Sequence, residues 1–165
     1  MIKQALLGEF LQEAESTRKL LQSVPETTMG YRPQPFLWSI AELASHIATI
    51  YAWYDGVFSV DTFNFSNFHY EPEDRSKISN IIAKFEENFQ NAKSAIENSD
   101  ESSYHNNWTM KSGEETLIGP LPKINAIRGF LYNHLYHHRG ELIAHLRASG
   151  NKVPALYGPT YEQSL

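Results

Sequence analysis

Residues Ile78 to Ile96 read ISNIIAKFEENFQNAKSAI. Ile78, Ile81, Ile82, Phe85, Phe89, Ala92 and Ile96 recur at three- and four-residue intervals, a spacing that a helix of 3.6 residues per turn gathers into one stripe. Lys77, Lys84, Glu87 and Lys93 fall off that stripe and face water. Pro72, Glu73 and Asp74 suit the start of the helix: proline needs no amide partner there, and carboxylates favour the positive end of the helix dipole.

Three further segments carry the same period. One runs from about Ile2 to Val24, with Leu6, Phe10, Thr17 and Leu20 on its stripe, and Pro25, Gly30, Pro33 and Pro35 close it. A second begins at Ser39, where Ser39-Ile40-Ala41-Glu42 has the spacing of a capping box. It is expected to continue to about Ser59 through Leu43, Ile47, Ile50 and Tyr54. The last spans about Pro122 to Ser149, with proline near its start and Gly150 just past its end. Gly129 and Gly140 inside it predict close packing against a neighbour.

Between the third and last helices, Trp108-Thr109-Met110, Ser112-Gly113 and Thr116-Leu117-Ile118 predict a short hairpin around a glycine turn. The stretch Asp61 to Glu71, DTFNFSNFHYE, lacks sustained alternation and reads as a lid or a packed loop. The expectation is an all-α fold: one domain over residues 1–165, a four-helix bundle with long crossover connections and a short β-hairpin before the last helix.

The chain has 165 residues and a formal net charge of −5. An acidic chain lacks the basic stripe that nucleic acid requires and has no attraction to an anionic membrane surface. No apolar run reaches the ~20 residues of a bilayer span, and the N-terminal MIKQALLGEFLQEAE lacks a signal-peptide core, so a cytoplasmic location is expected. There is no cysteine. Any metal must therefore be held by nitrogen and oxygen, and any thiol must come with a substrate.

Four of the seven histidines lie in Asn133–His145, NHLYHHRGELIAH. His134 and His138 are four apart, on the line of Ile127, Leu131 and Leu142, so both point inward. His137 is rotated off that line, and His145 lies nearly two turns beyond His138 and reads as structural. His46 on the second helix sits beside Leu43, Ile50 and Trp53 at the edge of a core-facing stripe. Two helices can thus present His46 against His134 and His138, a usual way to build a metal site in a bundle. Three nitrogen ligands would leave positions open for a guest. The spacing alone leaves a metal-ligand set and a hydrogen-bonded polar core equally open.

WSIAELASHIATIYAWY, NHLYHHRGEL and the following LRASGNKVPALYGPT, together with the hairpin, resemble the DinB/YfiT-like family of metalloenzymes. The matching positions are Trp38, Ser39, His46, His134, His138, Arg139, Gly140, Val153, Pro154, Tyr157, Gly158 and Pro159. The resemblance implies a four-helix bundle, often a homodimer, with a divalent ion on three histidines, here His46, His134 and His138. It also implies chemistry on a small-molecule substrate with a low-molecular-weight thiol, since the family's characterised members include thiol transferases and a thiol-dependent isomerase. Zinc or nickel leads as the ion, with iron and manganese as further candidates.

One departure stands out: the family usually has glutamine where this chain has Glu141. Glu141 is the catalytic candidate, as a general base. It is also placed to orient a ligand imidazole, to complete the coordination, or to pair with Arg139 on the surface. A thiol (S-)transferase is the leading expectation. A metal-dependent hydrolase and a non-catalytic, metal-stapled binding or stress-response protein are the alternatives. Arg139 is expected to anchor the tail or a backbone carbonyl. Trp38, Trp53 and Trp108 are expected in the core or pocket walls, and His69 and His105 as ordinary polar residues.

Overall fold

A computed structural model describes residues 1–71 and 73–163. The order is α1 (Ile2–Gln22), α2 (Ile40–Ala52), α3 (Tyr54–Phe58), β1 (Thr62–Asn64), α4 (Ile78–Asn98), β2 (Asn107–Ser112), β3 (Glu115–Pro122), α5 (Lys123–Ala126), a π-helical segment (Ile127–Asn133) and α6 (His134–Ala148). Helices α1 and α2 each pack against both α4 and α6, so their apolar stripes close on one core. Leu6, Phe10, Leu20, Leu43, Ile47, Ile81, Phe85, Ile96 and Leu142 are buried there. Among the described residues, no helix is long and apolar enough to cross a membrane.

Helix α4 keeps its stripe but starts at Ile78 with Lys77 as its cap, and its first turn holds no acidic residue. Asp74 accepts hydrogen bonds from the Ser76 amide and hydroxyl instead, making a local turn before the helix. Pro72 lies outside the described residues. At Ser39 the capping box is complete: the Glu42 amide donates to the Ser39 hydroxyl at 3.2 Å and the Ser39 amide donates to the Glu42 carboxylate at 2.7 Å.

The structure corrects the sequence reading in four further places. The second helix does not run unbroken to Ser59: a turn at Trp53 separates α2 from α3. It sets the Trp53 ring beside the last helix, stacked on Phe130 at 5.2 Å. Gly56 on α3 then lets the Phe63 ring approach, since a Cβ there would lie 2.6 Å from it.

The fold is mostly helical, and the second correction concerns Asp61 to Glu71. The hairpin forms, with Gly113 at φ +59 between β2 and β3, and β1 joins it in parallel as a third strand, pairing Thr62 with Thr109 and Phe63 with Met110. The stretch expected to be a lid or packed loop is therefore anchored to a sheet. Third, the last helix is interrupted over Ile127–Asn133, where a π-helical segment reads straight into α6. Fourth, Gly129 and Gly140 are exposed, and a Cβ on either would meet nothing within 4 Å. They pack against no neighbour.

Arg139 fixes α6 against α1. It is 2% exposed; its Nη1 donates to the Glu13 carbonyl at 2.9 Å, and its Nη2 bonds both the Glu13 carboxylate and the Tyr157 hydroxyl. Tyr157 donates in turn to Glu13 at 2.5 Å, so the tail and a carbonyl are both held, as the sequence suggested. Removing one partner of a buried pair strands the other charge and costs roughly 3–5 kcal/mol. Arg139→Ala should therefore lower the melting temperature by roughly 6–20 °C in a chain of this size. Glu13→Leu with Arg139→Met should recover most of that loss. An Arg139→Ala protein that melts with the parent chain would remove Arg139 from this role.

Candidate metal centre

The capping box at Ser39 sets the start of α2, and two turns later the helix presents His46. Helix α6 supplies His134, its first residue, and His138 one turn on. The two helices bring the three rings together. His46 Nε2 stands 3.2 Å from His134 Nε2. The His138 ring centroid is 4.4 Å from that of His46 and 4.7 Å from that of His134. One nitrogen from each ring lies within 4.8 Å of the other two.

The opposite edges of the rings decide which nitrogen is bare. A backbone carbonyl only accepts, so His134 Nδ1, 3.3 Å from the Phe130 oxygen, carries the proton there. His138 Nδ1 donates to the Glu141 carboxylate at 2.6 Å. Both rings therefore direct an unprotonated Nε2 at the cluster. Burial holds the His46 imidazolium down, to a pKa of about 4, with the neighbouring His138 and His134 adding to it. Burial also lowers His134 and His138, partly opposed at His138 by Glu141. All three rings are neutral at pH 7, the form a metal requires.

The donor set fits a cation. Two nitrogens sharing one zinc ion at about 2.0–2.1 Å and the tetrahedral angle stand about 3.3 Å apart, and His46 and His134 hold 3.2 Å. Without an ion, the same approach is satisfied only if His46 Nε2 carries a hydrogen and donates to His134.

Aromatic walls enclose the rings. Trp38 stacks on His138 at 5.6 Å and meets the edge of His46 at 4.9 Å. Trp53 stacks on His134 at 5.6 Å. Trp108 is fully buried behind Phe130 and donates to the Gly56 carbonyl at 2.9 Å. Three clefts open on the cluster. One of about 210 Å³ beside His46 includes Trp38, Thr49 and Arg75; one of about 420 Å³ beside His134 includes Ile118 and Phe130; one of about 240 Å³ beside His138 includes Phe36, Leu43 and His145. A further cavity of about 500 Å³ is lined by none of the three histidines.

Of the other sequence candidates, His137 points outward with its Nε2 3.5 Å from Glu141. His145 is buried and held by the Glu141 carbonyl at 2.8 Å. His69 and His105 are exposed. Glu141 engages His138 rather than Arg139, whose charge is committed to Glu13. The Phe130 carbonyl and Arg75 carried no sequence signal: one is main chain, the other a lone charge in an irregular segment.

A model of the DinB family matches residues 1–165. The chain belongs to the DinB family. This DinB-family protein is 24% identical over 154 residues to the uncharacterized protein YrdA of Bacillus subtilis strain 168, which covers 92% of this chain and 85% of that one. Among solved structures it is similar to a DinB-like protein of Bacillus cereus ATCC 10987, at 20% identity and TM-score 0.71 over 93% of this chain and 97% of that one. A second similar structure is the DinB-like protein YjoA of Bacillus subtilis, at 18% identity and TM-score 0.74 over 92% of this chain and 97% of that one. At these identities the likeness establishes a shared fold.

The depressed histidines set a pH dependence for the metal-stripped DinB-family protein. The unfolded chain takes up protons on these rings near pH 6.5, while folded His46 resists down to about 4. Below pH 6.5 the unfolded state thus binds more protons, and stability falls as pH drops through that window. Melting temperature measured from pH 7 to 4 should fall, and fall less in His46→Asn. Equal slopes in the two proteins would show that the cluster does not carry the effect.

Proposed function

We propose that this DinB-family protein is a metal-dependent enzyme that transfers a small-molecule thiol to an electrophile. The carrying observation is the convergence of His46, His134 and His138 on one point bordered by open clefts. In this reading the three imidazoles hold a divalent ion, zinc or nickel before manganese, because an all-nitrogen set suits the borderline metals better than the oxygen-preferring ones. Such an ion, when bound with positions open, lowers the pKa of a thiol or water that joins it and so supplies a nucleophile near neutral pH.

The chain's own residues do the rest. Glu141 orients His138, the Phe130 carbonyl orients His134, and each contact fixes the tautomer that leaves Nε2 free. Trp38 and Trp53 keep bulk water from the rings. The cleft at Phe130 and Ile118 offers apolar contact, whereas the cleft at Arg75 and Thr49 offers polar contact. That pairing suits two different small reactants meeting at the histidines.

The test starts from protein purified without a polyhistidine tag. Elemental analysis should find one divalent ion per chain, and a panel of low-molecular-weight thiols with an aryl halide should show conjugation above background. His46→Ala should retain its helical circular dichroism and lose both the ion and the rate. A metal-loaded protein that conjugates no thiol but cleaves esters would replace transfer with hydrolysis. If chelation lowers the melting temperature and neither panel reacts, the ion is a staple between α2 and α6 and the enzymatic reading fails.

A further inference from the structure

We propose that the outer face of α6 carries a second, weaker cation site, formed by His137 and Glu141, which takes a borderline divalent ion such as zinc and weakens the three-histidine centre through the carboxylate that touches both. The site itself stands on its own geometry; only its effect on the inner centre rests on the reading above.

His137 and Glu141 are four residues apart on one helix face, the spacing at which two side chains meet. His137 Nε2 lies 3.5 Å from Glu141 Oε2, close to the separation of two donors sharing one ion, and the side chains are 65% and 39% exposed. An ion can therefore reach both side chains from the solvent side. Among the described residues no Lys or Arg is paired with this carboxylate, and Arg139 is taken up by Glu13.

Exposed histidine–glutamate pairs are common on helices. What distinguishes this one is that the same carboxylate accepts the His138 Nδ1 hydrogen at 2.6 Å. Both contacts fall on Oε2, which has two lone pairs with Oε1 beside it, so Glu141 can hold His138 and an outer ion together. His138 need not ligate that ion, and its Nδ1 keeps its proton. Two protein ligands completed by water make a weak site, filled only when the ion is in excess. An ion drawing charge from Glu141 makes it a poorer acceptor for His138, and His138 then becomes a poorer donor at Nε2. The two ions also repel each other. Linkage makes the penalty mutual: whatever the outer ion costs the inner one, the inner costs the outer.

A glutamine at this position would still accept from His138 Nδ1 through its carbonyl but would give an outer ion only a neutral amide oxygen. The carboxylate is therefore what adds the second site.

The experiment is a calorimetric titration of untagged, metal-stripped, full-length protein with zinc chloride near neutral pH. Two steps are expected, one tight and one weak, each of one ion. His137→Ala should lose the weak step and keep the tight one. Glu141→Gln should also lose the weak step. Glu141→Ala should lose it and in addition weaken the tight step by about 10–100-fold, the usual cost of removing an orienting partner from a ligand histidine. Transfer of the tight ion to a chromophoric chelator should quicken with zinc excess in the parent chain and not in His137→Ala.

A tight step alone in the parent, or a weak step that survives His137→Ala, overturns the proposal. A weak step without a tight one keeps this site and removes the three-histidine reading; a tight step alone does the reverse. Chelator transfer that ignores zinc excess overturns the coupling.

Discussion

The centre depends on the 3.2 Å approach of two imidazole nitrogens carried by different helices. Two bare lone pairs at that distance repel each other, so a proton or a cation must lie between them, and the packing must hold the rings while either is exchanged. Helices α2 and α6 hold it from both ends. The capping box pins the start of α2, and Arg139, next in sequence to His138, ties α6 to Glu13 on α1 and to Tyr157 of the tail. The buried ion pair is costly to assemble, but it fixes rotation of α6 at the turn that carries a cluster histidine. An apolar contact there would permit the helix to slide or turn slightly, and a shift of one ångström is large against a metal–nitrogen bond of about 2 Å.

Two of the three rings are also controlled from their far edges. A carbonyl at His134 and a carboxylate at His138 demand a hydrogen on Nδ1, and the demand is transmitted as an empty Nε2 facing inward. The carboxylate is the stronger acceptor. It works against the burial that depresses His138, so His138 is both held neutral and made electron-rich. His46 has no such carboxylate in hydrogen-bond contact. Its ring is the one pushed to about 4, so it is neutral, and moving its one hydrogen from Nε2 to Nδ1 would free Nε2 for a cation.

Much of this was legible in the sequence where local periodicity reports tertiary position. Leu131, His138 and Leu142 share a buried line, Ser39 and Glu42 spell the cap, and Gly113 marks the hairpin turn. The errors lie where distant contacts override local pattern. Strand β1 is three residues long and owes its form to parallel pairing with Thr109–Lys111, far along the chain. The break at Trp53 follows from stacking against Phe130 and His134, which no window around Trp53 contains. The π-helical segment looks like ordinary helix in sequence, because its residues differ from α-helix only in how far their amides reach. Gly129 and Gly140 misled for the opposite reason: glycine signals room to pack, and here the room is simply open. The Phe130 carbonyl was out of reach because main-chain groups have no sequence identity to read.

Trp38 shows how exposure and function combine at the rim. Its indole remains 45% exposed while stacked on His138 and set edge-on to His46. Full burial would stabilise it more, at about 25 cal/mol per Å² of apolar surface, but would seal the His46 and His138 clefts that it separates. Trp53 is instead buried between His46, Phe130 and His134. The cluster thus has one buried aromatic wall and one half-exposed one. A small molecule beside Trp38 can gain stacking on the indole face without displacing core, because that side chain is already half in water.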